Sequence, residues 1–323
     1  MKILVIGAAG MVGRKLVSAL LEAGQVGGQA IDGLHLADVI APEAPQAGVP
    51  VKTSAVDLSD PDVSVGLITE RPDLIFHLAA IVSGEAEADF EKGYRINLDG
   101  TRHLLEAIRN AAGEGYRPRL VFTSSIAVFG EPLPAIIPDT QEHTPLTSYG
   151  TQKAICELLL ADYSRRGFVD GVGIRLPTIA VRPGKPNKAA SGFFSGIVRE
   201  PLAGQEAVLP VAETVRHWFA SPRAAVGFLL HAAAMDTALL GNQRNLTMPG
   251  LAATVGEQIA ALERVAGPKA TALIRREPDA VIAKIVSGWP QAFEATRANS
   301  LGFTAEGSFD EIIRVHIEDE LSH

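Results

Sequence analysis

Short apolar runs recur through the first half of the chain, separated by stretches in which apolar and polar positions follow a helical spacing. The candidate strands are 2–6, 33–37, 51–55, 74–78, 119–123 and 172–176, and some of the runs, such as DLIFHLAA and RLVFTSS, are continuous. A continuous apolar run of this length suits a strand covered on both faces. Between the runs, 12–21, 63–69, 90–110 and 149–164 carry the helical pattern. Strand, helix and strand in succession need crossover connections, which are right-handed and give a parallel sheet. The expected fold is therefore α/β, a Rossmann-type doubly wound parallel sheet with helices on both faces.

After Pro177 this rhythm breaks. The stretch RPGKPNKAASGFFSG at 182–196 is rich in Pro, Gly and Lys and reads as a loop. Later helices have recognisable starts: Thr254 with Glu257 and Ser308 with Glu311 both have capping-box spacing. These features predict an NAD-binding domain at about 1–177, with a contribution from about 215–235. A smaller mixed α/β substrate domain would occupy about 178–323.

Chemistry enters at the first strand–helix turn. VIGAAGMVG places Gly7, Gly10 and Gly13 between four apolar strand residues and the helical stripe Val12, Leu16, Val17, Leu20 and Leu21. Glycine permits the tight turn and lets the backbone approach a pyrophosphate seated on the helix N-terminus. The second strand ends in Asp38, whose carboxylate suits the adenosine ribose hydroxyls and repels a 2′-phosphate. Val39 and Ile40 supply no cation for such a phosphate, so NAD is expected over NADP. Asp32 reads as a surface turn residue.

A second constellation lies in TSYGTQKAICE, where Tyr149 and Lys153 stand four positions apart at the start of a helix. Such positions share one helix face, and a nearby cation favours the ionised phenol, lowering its pKa from about 10. That pair could make a general base, although two residues taken alone more often describe an exposed tyrosine beside a solvated lysine. RLVFTSS ends its strand in Thr123, Ser124 and Ser125. The carboxyl end of such a strand faces the ligand crevice, where Ser125 could hold a substrate oxygen. Thr123 and Ser124 are expected to satisfy backbone groups where the strand ends.

The 323 residues, 47% hydrophobic with a formal net charge of −8, are enough for about two globular domains. Mild acidity without Lys/Arg runs argues against nucleic acid or an anionic membrane as partner. One cysteine, Cys156, excludes an internal disulfide and fits a reducing compartment. It falls inside the helix of Tyr149 and reads as a buried thiol. The eight histidines are scattered, and no cluster has metal spacing. The absence of a signal-peptide pattern or a long apolar run leads to the expectation of a cytoplasmic protein.

The motifs GxxGxxG, HLAA (77–80), NLDGT (97–101), TSSIAVFG and YxxxK follow one another in order over residues 1–180. Together they resemble the extended short-chain dehydrogenase/reductases of the NAD-dependent epimerase/dehydratase type. That resemblance implies Tyr149 as base, Lys153 as the cation that tunes it and binds the nicotinamide ribose, and Ser125 as catalytic serine. It also implies cofactor contacts at Met11 and Val12 beside the glycines, Asp57 and Leu58 at the adenine, Ala79 and Ala80 over the phosphates, and Pro177. Asn97 resembles the helix asparagine that supports the site. Where dehydrating members carry an acidic pair, this chain has Ile126 and Ala127, which speaks against dehydration.

A narrower resemblance, to the D-erythronate dehydrogenase family, covers nearly the whole chain. It rests on HLAAIVSGEAEADFEKGYRINLDGT, RPGKPNKAASGFFSGIVREPLAGQEAVLP and RHWFASPRAAV. It implies oxidation of the C2 hydroxyl of a four-carbon sugar acid with NAD, giving the 2-oxo acid. A small carboxylate substrate needs fixed cations and hydroxyl donors. Candidates are Ser83, Ser125, Arg182, Lys185, Asn187, Lys188 and Arg216; Arg216 also suits a surface position, and Lys185 and Lys188 a solvated loop. His217 is either a polar contact or a packed ring beside Trp218. Glu85, Glu87 and Asp89 read as a solvated helix start. The alternatives are a sugar or nucleotide-sugar epimerase that keeps its NAD bound, and a non-enzymatic dinucleotide-binding regulator on the same fold. Pairing through two long helices, as in related folds, would give a homodimer.

Overall fold

A computed structural model describes residues 1–113, 115–184 and 191–322. The chain divides into two compact units. The first comprises Met1–Val128, Thr147–Arg175 and Val226–Leu246; the second comprises Phe129–Leu146, Leu176–Ala225 and Thr247–His323. The expected domain boundary near 177 lies close to the 175/176 crossing. The stretch 129–146 falls otherwise than expected, in the second unit; a later stretch returns to the first unit over 226–246, where a contribution from about 215–235 is expected.

The first unit is built on a seven-stranded sheet. Its strands are β1 (Lys2–Ile6), β2 (Gly33–Asp38), β3 (Val51–Ala55), β4 (Leu74–His77), β5 (Arg119–Ser125), β6 (Asp170–Leu176) and β7 (Asn245–Thr247). Their order across the sheet is β7-β6-β5-β4-β1-β2-β3. The pairs β1/β2, β2/β3, β1/β4 and β4/β5 are parallel. The chain builds outward from β1 to β3, then returns to β1's other side with β4. The order therefore reverses between β1 and β4, which is where open α/β sheets bind ligands. All four residues of β4 are buried, as a continuous apolar run between two helical layers should be.

Helices α1 (Met11–Ala23), α2 (Pro61–Thr69), α3 (Ser83–Ala88), α4 (Phe90–Gly93), α5 (Gly100–Asn110) and α6 (Ser148–Arg165) complete this scaffold. Ile6, Ile75, Leu104, Phe122 and Leu160 meet in one core cluster. The single helix expected over 90–110 is interrupted by a π-helical segment, Tyr94–Asp99. There the Gly100 N–H reaches back to the Arg95 carbonyl. The wider turn turns the Asn97 carbonyl to side chains: it accepts from Thr101 Oγ1 at 2.8 Å and Cys156 Sγ at 3.3 Å.

The second unit is mixed. Thr178–Ile179 pairs parallel with Arg216–Ala220, which pairs antiparallel with Leu251–Thr254. A separate parallel pair joins Ala207–Leu209 to Ile274–Arg276. Phe194, Phe219, Val255, Leu262, Phe309 and Ile312 belong to its core. The loop expected at 182–196 gives way at its C-terminal end to a helix, Gly192–Leu202, whose aromatic pair Phe193–Phe194 packs on this core. Burial of that pair outweighs the breaker composition around it. Thr254 and Glu257 form the full reciprocal capping box. Ser308 accepts from the Glu311 amide, but the Glu311 carboxylate receives the Gly307 N–H instead of the cap's own.

Candidate active site

At the end of β1 the chain turns through Gly7 with φ +91°, a region glycine enters without strain. Space forbids a side chain there as well. A Cβ at Gly7 would stand 2.7 Å from the Ala79 nitrogen, because the segment after β4 crosses directly over this turn. At Gly13 a Cβ would meet the Gly7 carbonyl oxygen at 2.2 Å, so α1 lies against the turn only because residue 13 has none. Helix α1 is capped by Gly10 with no side-chain cap and has no acidic residue in its first turn. Its leading N–H groups, including those of Met11 and Val12, are therefore suited to a phosphate. Asp38 closes β2 and accepts the Ala9 N–H at 2.9 Å and the Val39 N–H at 2.7 Å. Asp57 is exposed and Leu58 buried after β3, and the Ser59 N–H bond to Asp57 holds its carboxyl below the usual range. This cradle of glycines, an open helix end and an acidic strand end fits NAD.

The catalytic candidates come from the next turns of the sheet. Thr147 caps α6 by accepting the Gly150 N–H at 3.0 Å, and Glu87 takes the Ser148 N–H at 2.9 Å. Glu87 therefore anchors the helix start. Its neighbours are engaged too: Glu85 pairs with Lys92 at 2.5 Å, and Asp89 caps α4. With α6 so fixed, the Tyr149 phenol lies within the influence of the Ser125 hydroxyl. Ser125 Oγ also accepts the Ala127 N–H at 3.1 Å. Lys153 is only 2% exposed; its Nζ donates to the Thr123 carbonyl at 2.8 Å. The same ammonium lies 5.7 Å from the Tyr149 ring centre and 4.8 Å from that of Phe122.

One expectation needs correction. Lys153 does not bring the Tyr149 phenol below its ordinary value in this geometry. Desolvation dominates and pushes it up to about 12, against a smaller downward pull from the Ser125 hydrogen bond. Burial likewise pulls the Lys153 ammonium down to about 8, opposed by Cys156 and Glu157. The Cys156 thiol is pushed up to about 11 by burial, which makes it inert.

Sequence reasoning missed the buried partners behind this front row. Thr123 does satisfy a backbone group, the His77 carbonyl at 3.1 Å. Ser124 does not: its hydroxyl bonds Glu157 Oε1 at 2.5 Å, and Arg175 grips the same carboxylate at 2.8–3.1 Å. Glu157 lies one turn beyond Lys153, and a carboxylate at that spacing inside an apolar helix was the available signal. The Asn97 side chain bonds Ile81 and Gln152.

Of the remaining candidates, Ser83 is half-buried at the start of α3, and Ala79 and Ala80 are half-buried beyond β4. Pro177 is buried in the second unit. Also in that unit, Arg216 reaches the Ala252 carbonyl at 3.3 Å and pairs with Glu257 at 3.4 Å. Arg182 holds Ser191 Oγ at 3.0 Å. His217 packs in an aromatic cage with Phe194, Phe219 and Trp289. Lys185, Asn187 and Lys188 lie outside the described residues. Among the described residues no group of three or more His, Cys, Asp or Glu could hold a metal ion. No helix there is long and apolar enough to cross a membrane.

Residues 3–242 match the NAD dependent epimerase/dehydratase family. A protein named D-erythronate dehydrogenase from Cupriavidus necator is 50% identical over 99% of this chain and 98% of its own length. Another of that name, from Haemophilus influenzae, is 43% identical over 99% of this chain and all of its own length. A crystal structure described as the nucleoside-diphosphate-sugar epimerase from Agrobacterium tumefaciens is 67% identical with a TM-score of 0.98. It covers 99% of this chain and 94% of that one.

Proposed function

The chain belongs to the NAD dependent epimerase/dehydratase family, and from that premise we propose that it is an NAD-dependent dehydrogenase of a small sugar acid. The proposed reaction oxidises the C2 hydroxyl of D-erythronate to the 2-oxo acid. The observation that carries this reading is the buried ammonium of Lys153, 5.7 Å from the Tyr149 ring centre, with the Ser125 hydroxyl beside the phenol. The relatives named D-erythronate dehydrogenase support the substrate.

In this reading Ser125 holds the substrate oxygen and Tyr149 Oη takes the hydroxyl proton as C2 gives up its hydride. Bound NAD supplies the hydride acceptor, and its oxidised ring brings positive charge to the site. Lys153 stabilises the phenolate that proton removal needs, a role that requires its ammonium to stay close and dry. Gly7, Gly10, Gly13, Met11 and Val12 would seat the pyrophosphate, and Ala79 and Ala80 would cover it. Asp38 would hold the adenosine ribose; Asp57 and Leu58 would line the adenine. Ser83, Asn187 and Arg216 remain proposed substrate contacts on their chemistry. A carboxylate would have to draw Arg216 from Glu257, an exposed pair worth at most about 1 kcal/mol.

The test is a panel of four-carbon sugar acids with NAD, followed by NADH absorbance. NADH from D-erythronate is expected; none across a broad pH range removes the substrate assignment. A second reading has a specific observation behind it: the 67% identical structure is described as a sugar-nucleotide epimerase. An epimerase returns its hydride to the product. Stoichiometric NAD released on denaturing the purified protein, with no NADH formed from any sugar acid, would favour that reading.

A further inference from the structure

The Asn97 side chain lies between the segment that follows β4 and helix α6, and a backbone group fixes which way it faces. The Ile81 N–H donates to Asn97 Oδ1 at 2.9 Å, so the oxygen has to face that segment. Asn97 Nδ2 then donates to Gln152 Oε1 at 2.7 Å and to the Ile81 carbonyl at 3.3 Å. Gln152 must accordingly present its oxygen to Asn97 and turn Nε2 away. Gln152 is 0% exposed, and its Nε2 finds no hydrogen-bond partner. The fit around that nitrogen is close, since a Cβ on Gly93 would come within 2.7 Å of it.

A buried amide N–H without an acceptor costs stability, and an apolar side chain of the same shape would avoid that cost. The amide is therefore explained by what its oxygen does. Gln152 stands between Tyr149 and Lys153 on α6. Ile81 directly follows Ala79 and Ala80, the segment packed over Gly7. One amide pair thus ties the part of the chain that crosses the glycine turn to the helix that carries the phenol and the ammonium.

We propose that Gln152 is a positioning residue. Its bond to Asn97 couples the setting of the Ala79–Ile81 segment, and hence NAD binding, to the setting of Tyr149 and Lys153. Gln152 itself touches no reacting atom. The coupling rests on the NAD reading and not on the identity of the substrate.

The experiment uses the full chain with Gln152→Met, which keeps the side-chain volume and removes both amide atoms. NAD titrated calorimetrically is expected to bind about tenfold more weakly, while the melting temperature stays within a few degrees. KM for NAD rises with it, and kcat at saturating NAD changes much less, because bound NAD restores the setting that the lost bond maintained. Asn97→Ala and the double variant complete a cycle in which the double loses no more NAD affinity than the worse single. A purely packing role would lower the melting temperature and leave the affinity of the folded fraction unchanged. That result, or strictly additive losses, overturns the proposal. Gln152→Leu takes the place of Gln152→Met if the latter does not fold; if neither folds, the amide is a folding determinant and the proposal fails. Wild-type protein that binds no NAD would instead overturn the cofactor reading.

Discussion

The two units treat buried charge in opposite ways. Among the described residues the first buries Lys153, Glu157, Arg175 and Arg244, whereas no Asp, Glu, Lys or Arg of the second is buried to that degree. Two buried histidines, one from each unit, differ in their partners. In the second unit His217 has both nitrogens paired. Nδ1 faces the Pro290 carbonyl at 2.8 Å and must donate, so Nε2 accepts from Thr178 Oγ1 at 2.7 Å. In the first unit Thr101 Oγ1 already donates to Asn97, so it takes its proton from His77 Nε2 at 2.9 Å, and His77 Nδ1 is left without a partner. Burial pulls His217 down to about 4 and, helped by the charge of Lys153, His77 to about 3. Burying charge and leaving polar atoms unpaired both cost free energy. The first unit bears the cost of buried charge around α6, where the proposed chemistry needs a dry, fixed cation; in the second, His217 is closed into an aromatic core.

Breaking the first side of this contrast should have the largest effect. Tyr149→Phe removes only the phenolic oxygen, so turnover should fall at least about a hundredfold while NAD affinity stays near wild type. Calorimetric titration beside a turnover assay separates the two, and near wild-type turnover would refute the mechanism. Lys153→Met should impair both turnover and NAD binding. It should also move the alkaline rise of turnover to higher pH, since the phenol is already pushed up to about 12 and loses its nearest cation. The same variant carries a stability signature. The Lys153 pKa is lowered from 10.5 to about 8, so between those values the unfolded chain binds more protons than the native one. Wild-type stability should therefore rise from pH 8 to 10, by roughly 2 kcal/mol, and Lys153→Met should lose that rise. Denaturant titrations at the two pH values read it directly.

The same contrast explains what could be read from sequence. Short apolar runs placed the first six strands of the first unit's sheet; strands buried on both faces, such as β4, leave a clear signature in composition, whereas the half-exposed VKTSA of β3 leaves a weaker one. The glycine turn, Asp38, Ser125, Tyr149 and Lys153 were legible because each combines a local spacing with a known place on the strand–helix scaffold. The π segment at 94–99 was not legible, since it depends on Thr101 and Cys156 reaching the Asn97 carbonyl from two helices. The dominance of desolvation at Tyr149 was also hidden, because spacing reports the proximity of Lys153 and says nothing of burial. In the second unit Thr254 gave its helix start, but no pattern showed that Phe194 and Trp289 would enclose His217.

His217→Phe sharpens the second side of the comparison with a moderate effect. The folded pKa lies below the ordinary 6.5, so the unfolded chain takes up a proton that the native ring refuses. That contribution to stability is present above pH 6.5 and is lost as the pH falls towards 4. Replacing the ring by Phe should cost stability at neutral pH, where Pro290 O and Thr178 lose their partner, yet flatten the acid loss. Between pH 6.5 and 5 the variant should lose about 2 kcal/mol less than wild type. Parallel stability curves in that window would mean that His217 is protonated in the folded state.

The smallest predicted effect lies at the edge of the charged unit, on Asp38. Its two oxygens serve the protein first, accepting Ala9 N–H and Val39 N–H, so the carboxylate is oriented before any ribose arrives. Asp38→Ala removes both bonds and the charge together. Asp38→Asn keeps an acceptor for one amide and removes only the charge. If the carboxylate selects NAD by repelling a 2′-phosphate, both variants should narrow the NAD-over-NADP ratio of kcat/KM by a similar factor, about tenfold. NAD affinity itself should drop further in Asp38→Ala, because the glycine turn loses the bond at Ala9. The ratio of specificity constants measures the charge, and the difference between the two variants measures the bond. A ratio unchanged in both would mean that selection lies elsewhere than at the end of β2.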